Sequence, residues 1–214
     1  MITAADAEYE AARGGFDLSQ LHEPTLIVEA GNVGDVAASL GFAERHHLPV
    51  AVQATGHGTS GALRGGLLIS TRRLTSVSVD PSRRTARVQA GATWTNVLAA
   101  TTPYGLAPLC GSAPAVGAVG YLLGGGLGPL GRLYGFGADH VASFTAATVG
   151  GEVITISADS EPDLFWGMRG AGTNFTVATE VEIGLQPVSH VFGGGLYFPG
   201  EAAASVLAAF VETI

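Results

Sequence analysis

Apolar residues fall at helical spacing between positions 32 and 47. Val33, Val36, Ala37, Leu40 and Ala43 share one face, and Asn32 is placed to cap its N-terminus. Pro49 closes that pattern. The short apolar runs Val50–Gln53 and Leu67–Ser70 read as buried strands, separated by a loop over 54–66 whose Gly and Thr content suits no regular element. Residues 76–80 and 85–89 flank Pro81-Ser82-Arg83-Arg84, which predicts a hairpin. A helix capped by Thr93 follows over 93–102. A second hairpin, 141–149 with 153–157, turns at Gly150-Gly151. Residues 161–168 predict one or two helical turns with Pro162 at an early position. Val177, Thr179, Val181, Ile183 and Leu185 alternate with mostly polar neighbours, the signature of a half-buried strand. Residues 191–198 predict a further strand, and 201–214 a helix with a stripe of Ala202, Val206, Leu207, Phe210 and Val211. That helix meets no Gly or Pro stop signal, so the last strand and helix are expected to pack on further chain.

Composition narrows the picture. The 214 residues are 47% hydrophobic and only 13% charged, enough apolar material for a packed core in one large or two small domains. Glycine is abundant, 32 residues, with no collagen period. No Asp, Glu, Lys or Arg occurs from 88 to 131. Mean hydropathy is +0.35. Yet the best membrane candidate, 113–131, holds seven Gly and two Pro and reads as a loop–helix element. All ten basic residues are Arg, which excludes a P-loop lysine, a Schiff-base lysine and a Ser-Lys dyad. A net charge of −8 leaves no nucleic-acid footprint. A single Cys gives no internal disulfide, and no metal-ligand spacing stands out. The N-terminus is acidic without an apolar core segment, so a cytoplasmic location is expected.

Gly126-Leu127-Gly128-Pro129-Leu130-Gly131 matches a dinucleotide fingerprint in form only, because no strand precedes it and Pro129 follows its second Gly. More telling are two glycine-rich segments, 54–61 and 111–128. Successive backbone N–H groups in such segments can cradle an anion without lysine; tight packing of small residues is the alternative.

Several ordered stretches carry a resemblance. They are PVAVQATGHG from Pro49, RGGLLIS from Arg64, VDPSRRTARVQAGATW from Val79, PAVGAVGYLLGGGLG from Pro114, YGFGADHV from Tyr134, EPDLFWGMRG from Glu161 and NFTV from Asn174. Together these resemble the flavin domain of berberine-bridge-enzyme-like oxidoreductases, within the vanillyl-alcohol-oxidase superfamily of PCMH-type FAD-binding proteins. The resemblance implies an α+β fold of two α/β subdomains with mixed sheets over 20–188, and the beginning of an incomplete substrate domain over 189–214. It implies FAD as cofactor. The first glycine-rich loop, Gln53, Ala54, Thr55, Gly56, His57, Gly58, Thr59 and Ser60, would face the pyrophosphate, and His57 would stand where the family bonds the flavin 8α-methyl group. A neutral imidazole is a competent nucleophile for that bond. Gly111, Ser112, Val116, Gly117, Gly120, Tyr121, Gly124, Gly125 and Gly128 would line the cofactor from the second segment. Asp139, His140 and Val141 would lie near its adenosine half, and Val177 near the ring.

The departures carry weight. The family commonly shows R-G-G-G-H-S where this chain has Gln53-Ala-Thr-Gly-His57-Gly58. A second flavin bond, where present, uses a Cys at the position of Ala113, so a bicovalent flavin is not expected and Cys110 is an ordinary small residue. Thr176 replaces a usual Gly. Trp94, Phe165 and Trp166 are expected in the core rather than on the cofactor, and Arg169 and Asn174 in structural roles. The activity implied is hydride transfer from an alcohol, sugar or amine to flavin N5; no catalytic base is identifiable. A stand-alone flavin electron-transfer module and an inactive FAD-binding fragment are the alternatives. The partners implied are a small-molecule substrate, no nucleic acid and no membrane, with self-association through an exposed apolar face.

Overall fold

The structure, a computed structural model, describes residues 1–214 except Ser60, Thr173 and Ile214. Its two sheets differ in strand sense. β1 (Leu26–Glu29), β3 (Leu67–Ser70) and β2 (Val50–Gln53) form a three-stranded parallel sheet in the order β1-β3-β2. The central strand β3 is buried along its whole length, which is why it reads as a continuous apolar run. α2 (Val33–Arg45) links β1 to β2, as a parallel pairing requires. Asn32 caps it by accepting the Asp35 N–H at 3.0 Å. The opposite face of the small sheet is covered by the N-terminal segment, where Ala12 of α1 (Tyr9–Arg13) packs with Ile27 and Leu68.

The second sheet is antiparallel, in the order β4 (Val77–Asp80), β5 (Thr85–Gln89), β8 (Val177–Gly184), β6 (Val141–Ala147), β7 (Val153–Ser157). Both expected hairpins are present. α2 lies between the sheets, its Val36, Ala37 and Leu40 packing with Ala147. The other face of the large sheet carries α3 (Trp94–Thr101), α4 (Ala118–Leu123) and α6 (Pro162–Met168), whose Trp94, Leu122 and Phe165 join Phe144, Val181 and Ile183 in the main core. A short α5 (Gly131–Tyr134) follows α4. The α+β organisation in two sheet-based lobes is therefore as expected.

Three local expectations are corrected. β8 is not half-buried. It sits between β5 and β6, and its register slips so that Thr145 faces Glu180 while Ala146 faces Ala178. Thr179 is thus an extra residue, a bulge that switches the pleat and buries both Ala178 and Val181. Residues 191–198 form no strand, since no described strand offers them a ladder; Phe192, Leu196 and Tyr197 are exposed instead. Trp166 is not in the core, being 76% exposed, whereas Trp94 and Phe165 are buried. The C-terminal helix does form, as α7 (Ala203–Thr213), and buries no residue.

Candidate functional site

The loop leaving β2 is built on three supports. Gly56 adopts φ +74°, and a Cβ there would lie 2.6 Å from the Gly15 Cα, so glycine is required on both counts. The N-terminal strap runs alongside: the Phe16 N–H donates to Thr55 O at 2.9 Å and the Asp17 N–H to Gly56 O at 3.1 Å. Gln53 is buried and its amide donates to Gly14 O at 3.0 Å. Beneath the loop, Arg72 donates from Nε to Ala54 O at 3.0 Å, and from its terminal nitrogens to Ala11 O and Gly14 O. The far side is anchored by His22, whose Nδ1 accepts the Leu63 N–H at 2.9 Å. His22 is buried, and burial holds its pKa below the ordinary 6.5.

These supports consume carbonyl groups and leave N–H groups free. Among the described residues, the backbone N–H groups of Thr55, Gly56, His57 and Gly58 make no hydrogen bond. A Cβ on Gly58 would meet nothing within 4 Å, so the loop's outer side is open. Arg72 is the nearby cation, but its donors are committed to carbonyls. An anion here would be met by backbone dipoles.

The second glycine-rich segment arrives against this loop. A Cβ on Gly117, which precedes α4, would stand 3.4 Å from Thr55 Oγ1 and 3.7 Å from Ala54 Cβ. Val116 is fixed by the Trp94 N–H donating to its carbonyl at 3.0 Å. Gly120 faces open space. Beyond α4, Gly124, Gly125, Gly126 and Gly128 form a turn pinned from two sides. The Ala138 N–H donates to Gly125 O at 2.9 Å, the Gly137 N–H to Gly126 O at 2.7 Å, and the Gly170 and Gly172 N–H groups both reach Leu123 O at 3.0 Å. Tyr121 packs edge-on to Trp94 at 5.4 Å between ring centroids, with its ring against Gly111 and Gly126. Its buried hydroxyl has no partner among the described residues. Burial pushes the Tyr121 phenol and the Cys110 thiol up, so both are protonated at neutral pH.

The expected site residues thus divide. The structure brings Gln53, Ala54, Thr55, Gly56, His57, Gly58 and Thr59 together with Val116 and Gly117. Ser60 lies outside the described residues, and Ser112 is exposed. Asp139 is occupied locally: its carboxylate accepts the Phe136 N–H at 3.1 Å and caps the turn over Gly137–His140. His140 bonds Tyr134 O at 2.8 Å and the Gln186 side chain at 3.1 Å through its two ring nitrogens. Val141 is buried in the main core, and Val177 packs against the α2 cluster. Arg169 stacks over the Phe165 ring at 4.3 Å, a structural role.

Sequence reasoning did not find Phe16 or Arg72. Phe16 stacks on the imidazole of His57 at 3.9 Å with 13° between planes, and His57 Nδ1 lies 2.9 Å from Thr55 Oγ1. The one signal for the strap was the Gly14-Gly15 pair, which lets two backbones approach. A separate groove of about 480 Å³, lined by Leu98, Leu106, Cys110, Pro129, Leu130 and Phe192, opens beside the 188–193 segment.

The open N–H row, the commitment of the nearby Arg72 to carbonyls and the close approach of Gly117 fit a dinucleotide that carries its charge on a diphosphate. Comparison with known proteins agrees. A family model described as FAD binding domain matches residues 24–157. (R)-6-hydroxynicotine oxidase from Paenarthrobacter nicotinovorans is 36% identical over 187 residues, which cover 86% of this chain and 41% of the relative. The crystal structure of 6-hydroxy-D-nicotine oxidase from Arthrobacter nicotinovorans superposes with a TM-score of 0.82 at 35% identity, covering 86% of this chain and 41% of that one. Glucooligosaccharide oxidase from Acremonium strictum, described as carrying a 6-S-cysteinyl, 8α-N1-histidyl FAD, superposes with a TM-score of 0.79 at 26% identity, covering 84% and 39%. The chain spans about two-fifths of the length of these relatives. Among the described residues, no helix is long and apolar enough to cross a membrane.

Proposed function

The chain belongs to the FAD binding domain family, and from that premise we propose that it is the flavin-carrying portion of an FAD-linked oxidoreductase acting on a small alcohol, sugar or amine. The observation that carries the reading is the meeting of the two glycine-rich segments, Gly117 on Ala54 and Thr55, beside a row of unbonded N–H groups. In this reading the N–H groups of 55–58 hold the diphosphate, while Arg72 holds the Ala54 carbonyl and the Phe16 and Asp17 N–H groups hold those of Thr55 and Gly56. Gly111, Val116, Gly117, Gly120, Tyr121, Gly124, Gly125 and Gly128 line the cofactor's length, and the Tyr121 hydroxyl supplies one donor that has no partner among the described residues. Asp139, His140 and Val141 shape the turn at the adenosine end, and Val177 the ring end. FAD, when bound, supplies hydride acceptance at its N5.

His57 is the proposed attachment point for a single covalent bond. Ala113 offers no sulfur for a second one, and the Cys110 thiol is held protonated, a poor nucleophile. The 6-hydroxynicotine and oligosaccharide oxidases among its relatives support a small-molecule substrate. The domain limits proposed are 20–188 for the flavin domain, with the strap from Gly14 added, and 189–214 for the start of a substrate domain. The test is direct. The protein is produced with FAD, denatured in acid and filtered. Yellow colour retained on the wild-type polypeptide and lost from His57→Ala supports the reading; stoichiometric NAD with no flavin overturns it.

A further inference from the structure

We propose that Arg72 is a positioning residue for the diphosphate: with the N-terminal strap, residues 11–17, it orients the N–H row of the loop, acting through carbonyl groups rather than as a cation on phosphate. This rests on the N–H groups of 55–58 holding the diphosphate. Three consecutive carbonyls of the loop are held from beneath. Ala54 O accepts from Arg72 Nε at 3.0 Å, Thr55 O from the Phe16 N–H at 2.9 Å and Gly56 O from the Asp17 N–H at 3.1 Å. A planar trans peptide points its carbonyl and the N–H of the next residue in opposite directions, and no peptide bond among the described residues is cis. Holding those three carbonyls against the strap therefore turns the N–H groups of Thr55, Gly56 and His57 outward. These are N–H groups that make no hydrogen bond among the described residues.

One guanidinium joins strap to loop. Besides Ala54 O, Arg72 reaches Ala11 O at 3.3 Å and Gly14 O from its terminal nitrogens, and the buried Gln53 amide reaches the same Gly14 O at 3.0 Å. All three guanidinium nitrogens are thus spent on carbonyls, and no carboxylate pairs with Arg72 among the described residues. The turn that carries Arg72 is seated on backbone. A Cβ on Gly91 would lie 2.2 Å from Thr71 O and 2.9 Å from the Arg72 carbonyl carbon, so no side chain fits between them. The strap precedes residues 24–157, which match the FAD binding domain model, so the loop is braced from outside the matched segment. A lysine at 72 would keep the charge, but its single nitrogen on a flexible stem cannot span three carbonyls as the fixed fork of a guanidinium does. Charge and geometry therefore make opposite predictions for Arg72→Lys.

The experiment uses the full chain, produced without flavin. The probe is ADP, which carries a diphosphate and no flavin ring, with adenosine as the phosphate-free control, both titrated by calorimetry. The wild type is expected to prefer ADP. A hydrogen bond to a charged acceptor is worth about tenfold or more, so Arg72→Lys and Arg72→Gln should each lower the preference for ADP over adenosine by about a hundredfold. Adenosine affinity should stay unchanged in both. Arg72→Lys that keeps the wild-type preference shows that charge is what matters and overturns the inference. Equal loss of both ligands shows a general structural role and overturns it too. Should the variants fail to fold, amide exchange in the wild type decides. The Phe16 and Asp17 N–H groups should be protected with and without ADP, whereas those of Thr55, Gly56 and His57 should exchange freely alone and become protected by ADP. Strap amides that exchange freely without ligand, or loop amides that ADP leaves unprotected, overturn the inference. So does a wild type that takes up FAD but shows no preference for ADP, and the flavin reading then stands. A wild type that takes up no FAD overturns both.

Discussion

Gly56 is where one side chain decides whether the flavin loop can form. Alanine there would carry a left-handed backbone, costing roughly 1–2 kcal/mol, and place its Cβ 2.6 Å from the Gly15 Cα, a backbone atom that cannot swing aside. Gly56→Ala is expected to destabilise the protein by more than that strain alone and to abolish flavin retention, read by thermal unfolding and by the colour of the denatured polypeptide. His22 makes a second residue-scale prediction. Burial lowers its folded-state pKa below 6.5, so the unfolded chain binds the extra proton first as pH falls. Stability from this group is present above pH 6.5 and declines below it, as protonation competes with the Leu63 N–H for Nδ1. His22→Asn, which keeps an acceptor and removes the titration, should flatten the fall in Tm between pH 7 and pH 5; an unchanged slope counts against the assignment. The glycines were legible in the sequence because their residue type announces loops, and His57 was singled out only through the resemblance of the motif around it. Arg72 and Phe16 were not, because each reaches the loop from about 15 to 40 residues away and nothing local marks an arginine that will spend its donors on carbonyls.

At the scale of elements, local pattern was legible where an element's own residues determine it. Val50–Gln53, Leu67–Ser70, Thr85–Gln89 and Val153–Ser157 have the limits their apolar runs and turns imply. β1 (Leu26–Glu29) was not read from the sequence, although Pro24 and Gly31 bracket its short apolar run. β8 was misread in exposure because a bulge at Thr179 is not encoded by alternation; it appears only when β6 and β8 are paired. Residues 191–198 show the converse, a strand-like composition without a partner. The central place of β8 has a measurable consequence. Val181 is fully buried between two neighbours, whereas Val153 lies on the edge strand β7 and is 48% exposed. Val181→Ala should cost about 2 kcal/mol, a cavity as well as a transfer loss, while Val153→Ala should cost under about 0.5 kcal/mol. Urea titrations of the two variants should separate them by that margin, and equal midpoints would remove β8 from the centre of the fold.

For the whole molecule, the apolar surface is unevenly placed. The core side of both sheets is closed, yet Phe192, Leu196, Tyr197 and Phe198 on the segment before α7, and Leu207, Phe210 and Val211 on α7, are all exposed. Monomers rarely expose contiguous apolar patches beyond a few hundred Å². A helix of this composition without a packing partner is also marginal in water, because most helical stability comes from burying one face. Association supplies that burial, so the chain is expected to self-associate with rising concentration, read by sedimentation velocity. Replacing Phe192, Tyr197 and Phe210 together by Ser should shift the protein towards monomer while leaving its Tm and its flavin content unchanged, since none of the three contributes to either core or to the glycine-rich loops. A wild-type chain that sediments as one monomeric species at all concentrations, and binds no hydrophobic dye, would show that these side chains find cover within the molecule and that α7 folds back onto the groove beside Leu106 and Phe192.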